Sequence, residues 1–177
     1  MNLWFRLIYI VLAGLLRERV AWDAVTTVSF RVWPTDLDIN MHMTNSRYLA
    51  LMDLGRTNLI FQSGLMAFLR REKLAPVIAG SLVRFRRPLK LFEKITLTTQ
   101  VIGWDAKWIF IDQRVMRGGE LACQAMVKAV FLSKAGSVAP ELLAKGLGQH
   151  PVSPLLPGWI KDWLSAESAA AQMGKSP

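Results

Sequence analysis

Between Pro34 and Tyr48 the chain reads Pro-Thr-Asp-Leu-Asp-Ile-Asn-Met-His-Met-Thr-Asn-Ser-Arg-Tyr. Two carboxylates (Asp36, Asp38), two amides (Asn40, Asn45) and His42, one of only two histidines, crowd into this short run. A carboxylate can activate water or attack an acyl carbon directly. An amide can orient the water or the substrate. Free N–H groups at the start of a helix can polarise a carbonyl oxygen as an oxyanion hole does. The local ingredients of acyl transfer are therefore present, provided that a helix starts here. The same residue types also make an ordinary capped loop, because Asp36, Asp38, Thr44, Asn45 and Ser46 all suit turns and N-caps.

The flanking sequence predicts the elements that hold this loop. Thr26 to Trp33 alternates and is β-branched, as a strand requires. From Arg47 to about Leu69 no proline intervenes, and apolar residues recur at helical spacing on nearly every face, which describes a buried helix. The period then switches to two. Val77 to Leu89, Ile95 to Val101, Trp108 to Met116 and Glu120 to Leu132 read as strands, and Gly118-Gly119 is a two-residue hairpin signal. Cys123, the single cysteine, falls among Leu121, Ala125 and Val127 and reads as a packed core thiol. Beyond Ser133 the chain turns irregular before a helix over about 158–171 with Ile160, Trp163 and Leu164 on its apolar side. The order is strand, long buried helix, antiparallel strands: an α+β pattern with one helix wrapped by one sheet. A single domain over 1–177 is expected, with a core over about 26–133, an N-terminal helix at 3–16 and a C-terminal helical extension at 140–171. No Gly-rich phosphate loop and no G-x-S-x-G elbow occurs, which argues against nucleotide-binding α/β folds and α/β-hydrolases.

The loop resembles the signature of hotdog-fold thioesterases of the 4-hydroxybenzoyl-CoA thioesterase-like group, in which a D-T-D-x-x-G-H-V-N-N-A-R-Y-like run precedes the central helix. Asp36, Asp38, His42, Asn45, Arg47 and Tyr48 stand in matching register. The run Asp38-x-Asn40-x-His42 is also similar to the plant acyl-ACP thioesterase motif. Met41 and Thr44 depart from the pattern, where glycine and asparagine are common, and Met41 is expected to narrow the space beside the thioester. The resemblance extends over about residues 26–133 and implies a hotdog fold with a sheet of about five strands around the central helix; the additional helices read at both termini lie outside it. It implies hydrolysis of an acyl-CoA or acyl carrier protein thioester, with Asp38 as general base or nucleophile. Asn40 would position water or acyl group, His42 would assist orientation or proton transfer, and the backbone amide near Asn45 would polarise the carbonyl. Asp36 would brace the loop. Asp53, paired with Arg56 on the helix, is a reserve candidate. Arg84, Arg86, Arg87 and Lys90 would contact the phosphates of coenzyme A, since arginine suits phosphate through its forked donors. The acyl chain would run along the helix toward Phe61 or Met66. Coenzyme A enters as part of the substrate, with no separate cofactor and no metal. A homodimer or homotetramer is implied.

Composition is consistent with this. The chain has 177 residues, 52% hydrophobic and 20% charged, which excludes wholesale disorder. One cysteine and two histidines exclude a disulfide framework, a Cys-based zinc site and a three-His centre within the chain. The net charge of +9 suits an anionic partner. Eight basic residues lie between Ala67 and Lys94 against Glu72 and Glu93. Nucleic acid is not expected, because the tryptophans are not interleaved with these charges. Leu3 to Leu16 is apolar apart from Arg6. At about 1.5 Å per residue it spans roughly 21 Å, short of a bilayer core of about 30 Å. It reads as a helix docked on protein or on a membrane surface, or as a targeting segment, although no small-x-small cleavage site follows. The expected location is cytoplasmic, with peripheral membrane contact through this helix as an option. Two other readings compete within the fold: a non-catalytic acyl-binding or scaffold protein, and an acyl-CoA hydratase. The hydratase pattern D-x-N-P-x-H is not matched here.

Overall fold

The computed structural model describes residues 2–173; Met1 and residues 174–177, the ends of the domain expected over 1–177, lie outside the described residues. Helix α1 (Asn2–Leu16) comes first, then strand β1 (Thr26–Arg31) and a 3-10 turn (Pro34–Asp36). Helix α2 (Asn45–Gln62) and helix α3 (Leu65–Arg71) follow. Strands β2 (Ala75–Phe85), β3 (Lys94–Trp104), β4 (Ile109–Arg117) and β5 (Glu120–Ser133) then form the sheet with β1, and β6 (Gly136–Val138) pairs with the end of β5. Helices α4 (Pro140–Gly146) and α5 (Trp159–Met173) complete the chain. The sheet order is β1-β3-β4-β5-β2, antiparallel throughout. This is the hotdog arrangement expected from the sequence.

Helix α2 is buried because it is covered twice. Leu51, Met52, Leu54 and Leu59 are buried in the main core with Leu97, Val115 and Ala125 of the sheet. A Cβ on Gly55 would stand 2.6 Å from the Thr99 hydroxyl and 2.7 Å from Leu97, so only glycine lets the helix approach the sheet this closely. On its other flank lies α1, contributing Ile10 to the same core. Apolar residues on almost every face of α2 are thus explained by two coverings rather than by one sheet. Truncating a side chain such as Leu51 costs about 2 to 5 kcal/mol in sites of this kind.

The long helix expected over Arg47–Leu69 is broken. Gly64 takes φ +76, a left-handed conformation open to glycine, and α3 starts anew after it. Gly118 and Gly119 take φ +54 and +86 and close the β4–β5 hairpin as anticipated. Strand β6 is an addition to the elements expected after Ser133, and helix α4 falls at the start of the helical extension expected over 140–171. Helix α5 covers the outer face of the sheet, where Ile160, Trp163 and Leu164 pack with Phe110 and Met126. Cys123 is buried, and burial pushes its thiol up to about 12, so it is an inert core group. Among the described residues no helix is long and apolar enough to cross a membrane.

Candidate active site

The acidic loop is built as a small hairpin. Leu37 and Met43 form an antiparallel bridge, the Asp38 N–H donates to the His42 carbonyl at 2.9 Å, and the Met41 N–H donates to the Asp38 carbonyl at 3.0 Å. The three-residue tip, Ile39-Asn40-Met41, ends with Met41 at φ +59. A left-handed residue is what this turn geometry demands, and it explains why glycine is common at this position in the resembling family. Met41 is exposed and lies outside the groove described below, so its cost is backbone strain and not the narrowed space expected from sequence.

The two aspartates of the loop have opposite surroundings. Asp36 is fully buried. The Arg6 guanidinium grips both its oxygens, at 2.7 and 3.2 Å, and the Trp33 N–H donates to it at 2.9 Å. The Arg47 side chain approaches to 3.5 Å, and the Thr44 N–H donates to the Asp36 carbonyl. Every interaction of Asp36 ties loop, α1 and α2 together. Asp38 is exposed. One of its oxygens accepts the Asn40 N–H at 2.8 Å and the His42 N–H at 3.3 Å. Its other oxygen has no hydrogen-bond partner among the described residues.

A groove of about 330 Å³ opens beside this second aspartate, lined by Asp38, His42, Asn45, Tyr48, Arg86 and Arg87. Its position follows from backbone pairing. Met43 N–H donates to the Leu89 carbonyl at 2.8 Å, and His42 bridges Lys90, so the loop is stitched to the segment that leaves β2. Arg86 and Arg87 N–H groups both donate to the Ala122 carbonyl, which ends β2 and turns the two arginines into the groove. The start of α2 forms the floor. Thr44 precedes it in extended conformation, and no side chain caps it. The Thr44 hydroxyl instead meets that of Ser46 at 3.0 Å. The Arg47 N–H donates to the Thr44 carbonyl at 2.9 Å, which leaves the Asn45 and Ser46 N–H groups for a ligand carbonyl. Tyr48 walls the groove. Its ring stands edge-on to Phe85 at 5.3 Å, its hydroxyl donates to the Arg87 carbonyl at 3.3 Å, and burial pushes its phenol up to about 12.

The expected site residues are therefore divided. Asp38, His42, Asn45, Arg86 and Arg87 meet in one groove, with Lys90 joined to it through the His42 bridge. Asn40 gives Asp38 its backbone N–H, but its side chain sits at the hairpin tip, off the groove. Arg84 lies elsewhere. It pairs with Gln124 across the sheet and lines an outer groove with Leu82, Met126 and Trp159, because successive strand residues face opposite sides. Asp53 is at a third place, ion-paired to Arg56. Tyr48 and Phe85 were missed as groove walls. Tyr48 is one helical turn after Asn45, a spacing that could have flagged it.

Asp53 and Arg56 belong to the far half of α2. There an apolar pocket of about 210 Å³ is lined by Trp22, Ile60, Leu65, Val101, Ile111 and Phe131, together with the polar Asp53, Arg56 and Thr57. Arg56 is largely buried, and burial lowers the basicity of its guanidinium. It hydrogen-bonds Gln113, which is fully buried and donates to the Met52 carbonyl at 2.9 Å and the Thr99 hydroxyl at 3.0 Å. Phe61 and Met66, expected along the acyl path, do not line this pocket; their neighbours Ile60 and Leu65 do. The helix between Ile60 and Leu65 is broken at Gly64, which resets the faces that an unbroken helix would present.

A profile of the thioesterase-like superfamily matches residues 32–164, which include the acidic loop, the groove and the whole sheet except β1. Protein THEM6 of Drosophila melanogaster is 30% identical over 176 residues, covering 97% of this chain and 89% of its own. Among solved structures, the YbaW probable thioesterase of Escherichia coli superposes with a TM-score of 0.65 at 23% identity, over 68% of this chain and 95% of that one. A hypothetical Staphylococcus aureus protein in complex with CoA superposes with a TM-score of 0.61 at 17% identity, over 81% and 96%. At these identities the two structures bear on the fold.

Proposed function

The chain belongs to the thioesterase-like superfamily, and from that premise we propose that it hydrolyses acyl-CoA thioesters with Asp38 as the essential carboxylate. The observation that carries this reading is the half-satisfied Asp38 carboxylate, open to a groove that also holds an uncapped helix start. The thioester carbonyl sits against the N–H groups at Asn45, where negative charge develops in the tetrahedral transition state. The free Asp38 oxygen either takes a proton from the attacking water or attacks the carbonyl itself to form a mixed anhydride. In the first route the water oxygen becomes the new carboxylate oxygen as the thiolate leaves; in the second the thiolate leaves as the anhydride forms, and water then hydrolyses the anhydride to free acid and regenerated Asp38, with His42 orienting the water or returning the proton. Arg86 and Arg87 take the phosphates of coenzyme A, and Lys90 adds charge. A neighbour of the same fold is known in complex with CoA, which is compatible with this leaving group. The acyl chain occupies the apolar pocket at the far half of α2.

The active species is a homodimer or a larger homo-oligomer. Strand β2 supports this. It is an eleven-residue edge strand with Val77, Ile78, Leu82 and Phe85 exposed, and a long apolar edge is an open template for a second copy.

The test is thiol release from short, long and aromatic acyl-CoAs by wild type and Asp38→Asn. Loss of turnover by about a thousandfold in the variant is expected for a carboxylate in this role. Turnover unchanged in Asp38→Asn would remove Asp38 from the reaction. A wild type that binds acyl-CoA yet releases no thiol would favour the acyl-binding reading.

A further inference from the structure

Helix α1 is inverted relative to an ordinary surface helix. Its one charged side chain, Arg6, points inward to Asp36 and is only 8% exposed. Its outward side chains are Trp4, Phe5, Ile8, Tyr9, Leu12 and Leu15, each 53 to 74% exposed, continued by Leu16 at 88%. At about 100° per residue these positions fall in a single arc roughly 140° wide. The inner arc is spent on the protein, where Ile10 is fully buried and Gly14 allows close packing on Phe61. Seven large apolar side chains on one face form a contiguous patch of the kind that marks an interaction surface.

We propose that this face of α1 docks flat on an anionic lipid surface. Three features select lipid over a second protein chain. The arc is convex and wider than the narrow seam through which a partner helix packs. Trp4 and Tyr9 carry polar atoms that have no hydrogen-bond partner among the described residues, and such rings suit the boundary between headgroups and acyl chains. Arg17 and Arg19, both exposed, follow the helix directly with only Glu18 between them, and the chain as a whole carries +9. At 15 residues α1 is shorter than the roughly 20 that a spanning helix needs, and the proposal lays it along the surface. Through Arg6 and Asp36 the docked helix holds the loop that carries Asp38, two residues further on.

The experiment is co-sedimentation of the full chain with vesicles of phosphatidylcholine, with and without phosphatidylserine. The mixed vesicles are expected to bind it about tenfold more tightly than phosphatidylcholine alone, with the difference shrinking as salt rises. The triple variant Trp4→Ser, Phe5→Ser, Leu12→Ser changes only exposed positions and should lose binding by about tenfold or more. The double variant Arg17→Gln, Arg19→Gln should lose the preference for phosphatidylserine. Brominated lipid should quench wild-type fluorescence more than that of Trp4→Phe. A wild type that stays in the supernatant with both vesicles overturns the proposal, as does equal sedimentation of the triple variant. A triple variant that loses only a self-association step, with no lipid binding by the wild type, makes the face a subunit contact and also overturns it.

Discussion

The two halves of α2 share one covering sheet and differ in almost everything else. At its start, helix N–H groups are uncapped, the groove is open, and charged side chains converge on it. At its far half, the lining is apolar, and its one cation is neutralised by Asp53 and bonded to Gln113. The difference follows from the polarity of the helix. Only its N-terminus offers unpaired donors aligned with a favourable dipole, so charge developing in a reaction is stabilised there and not at the other end. The far half offers mainly apolar surface.

The largest way to break this contrast is Asp38→Asn. It should lower kcat by about a thousandfold while leaving the denaturation midpoint unchanged, since Asp38 is exposed and touches only the backbone of its own hairpin. Asp36→Ala, two residues away, should do the reverse in kind. Removing a buried carboxylate leaves Arg6 facing a cavity, and breaking a buried pair costs about 3 to 5 kcal/mol. Urea unfolding would measure it, and a loss under about 1 kcal/mol would put this pair with surface ion pairs. At the far half, Thr57→Trp should fill the apolar pocket. Activity on long-chain acyl-CoA should fall by about tenfold relative to short chains, and an unchanged chain-length profile would move the acyl chain elsewhere. The smallest effect is expected from Met41→Gly. Relief of a left-handed methionine is worth about 1 to 2 kcal/mol, and glycine's freedom in the unfolded chain returns about 0.4 to 1. A rise in stability with unchanged kcat is the expected outcome, and a fall in kcat would place Met41 against the substrate.

How much of this was legible depended on whether the residues were neighbours in sequence. Asp38, His42 and Asn45 sit within eight positions, and a short hairpin plus a helix start is enough to bring them together. Arg86 and Arg87 required the extra knowledge that β2 ends at Phe85 and that both amides turn onto Ala122. Arg84 shows the limit. It differs from Arg86 by two positions, yet strand alternation holds it on the outer face while Arg86 lies beyond the strand's end. The apolar pocket joins Trp22, Thr57, Val101 and Phe131, which no local pattern connects. The bracing role of Asp36 is legible in the loop, but its partner Arg6 lies thirty residues upstream, where the sequence alone shows only an interruption of an apolar run.

Sequence by itself determined the order of elements, the buried central helix, the glycine hairpin and the acidic loop, because each rests on periodicity or on local turn chemistry within a few residues. Tertiary structure alone decided which carboxylate is buried and which is open, which arginines face the groove, and that α1 turns its one charge inward and its apolar face out. Those outcomes depend on what packs against each residue from distant parts of the chain. The interior ion pair between Arg6 and Asp36, together with Ile10 in the core and Gly14 against Phe61, fixes which face of α1 meets the protein and which is left on the surface.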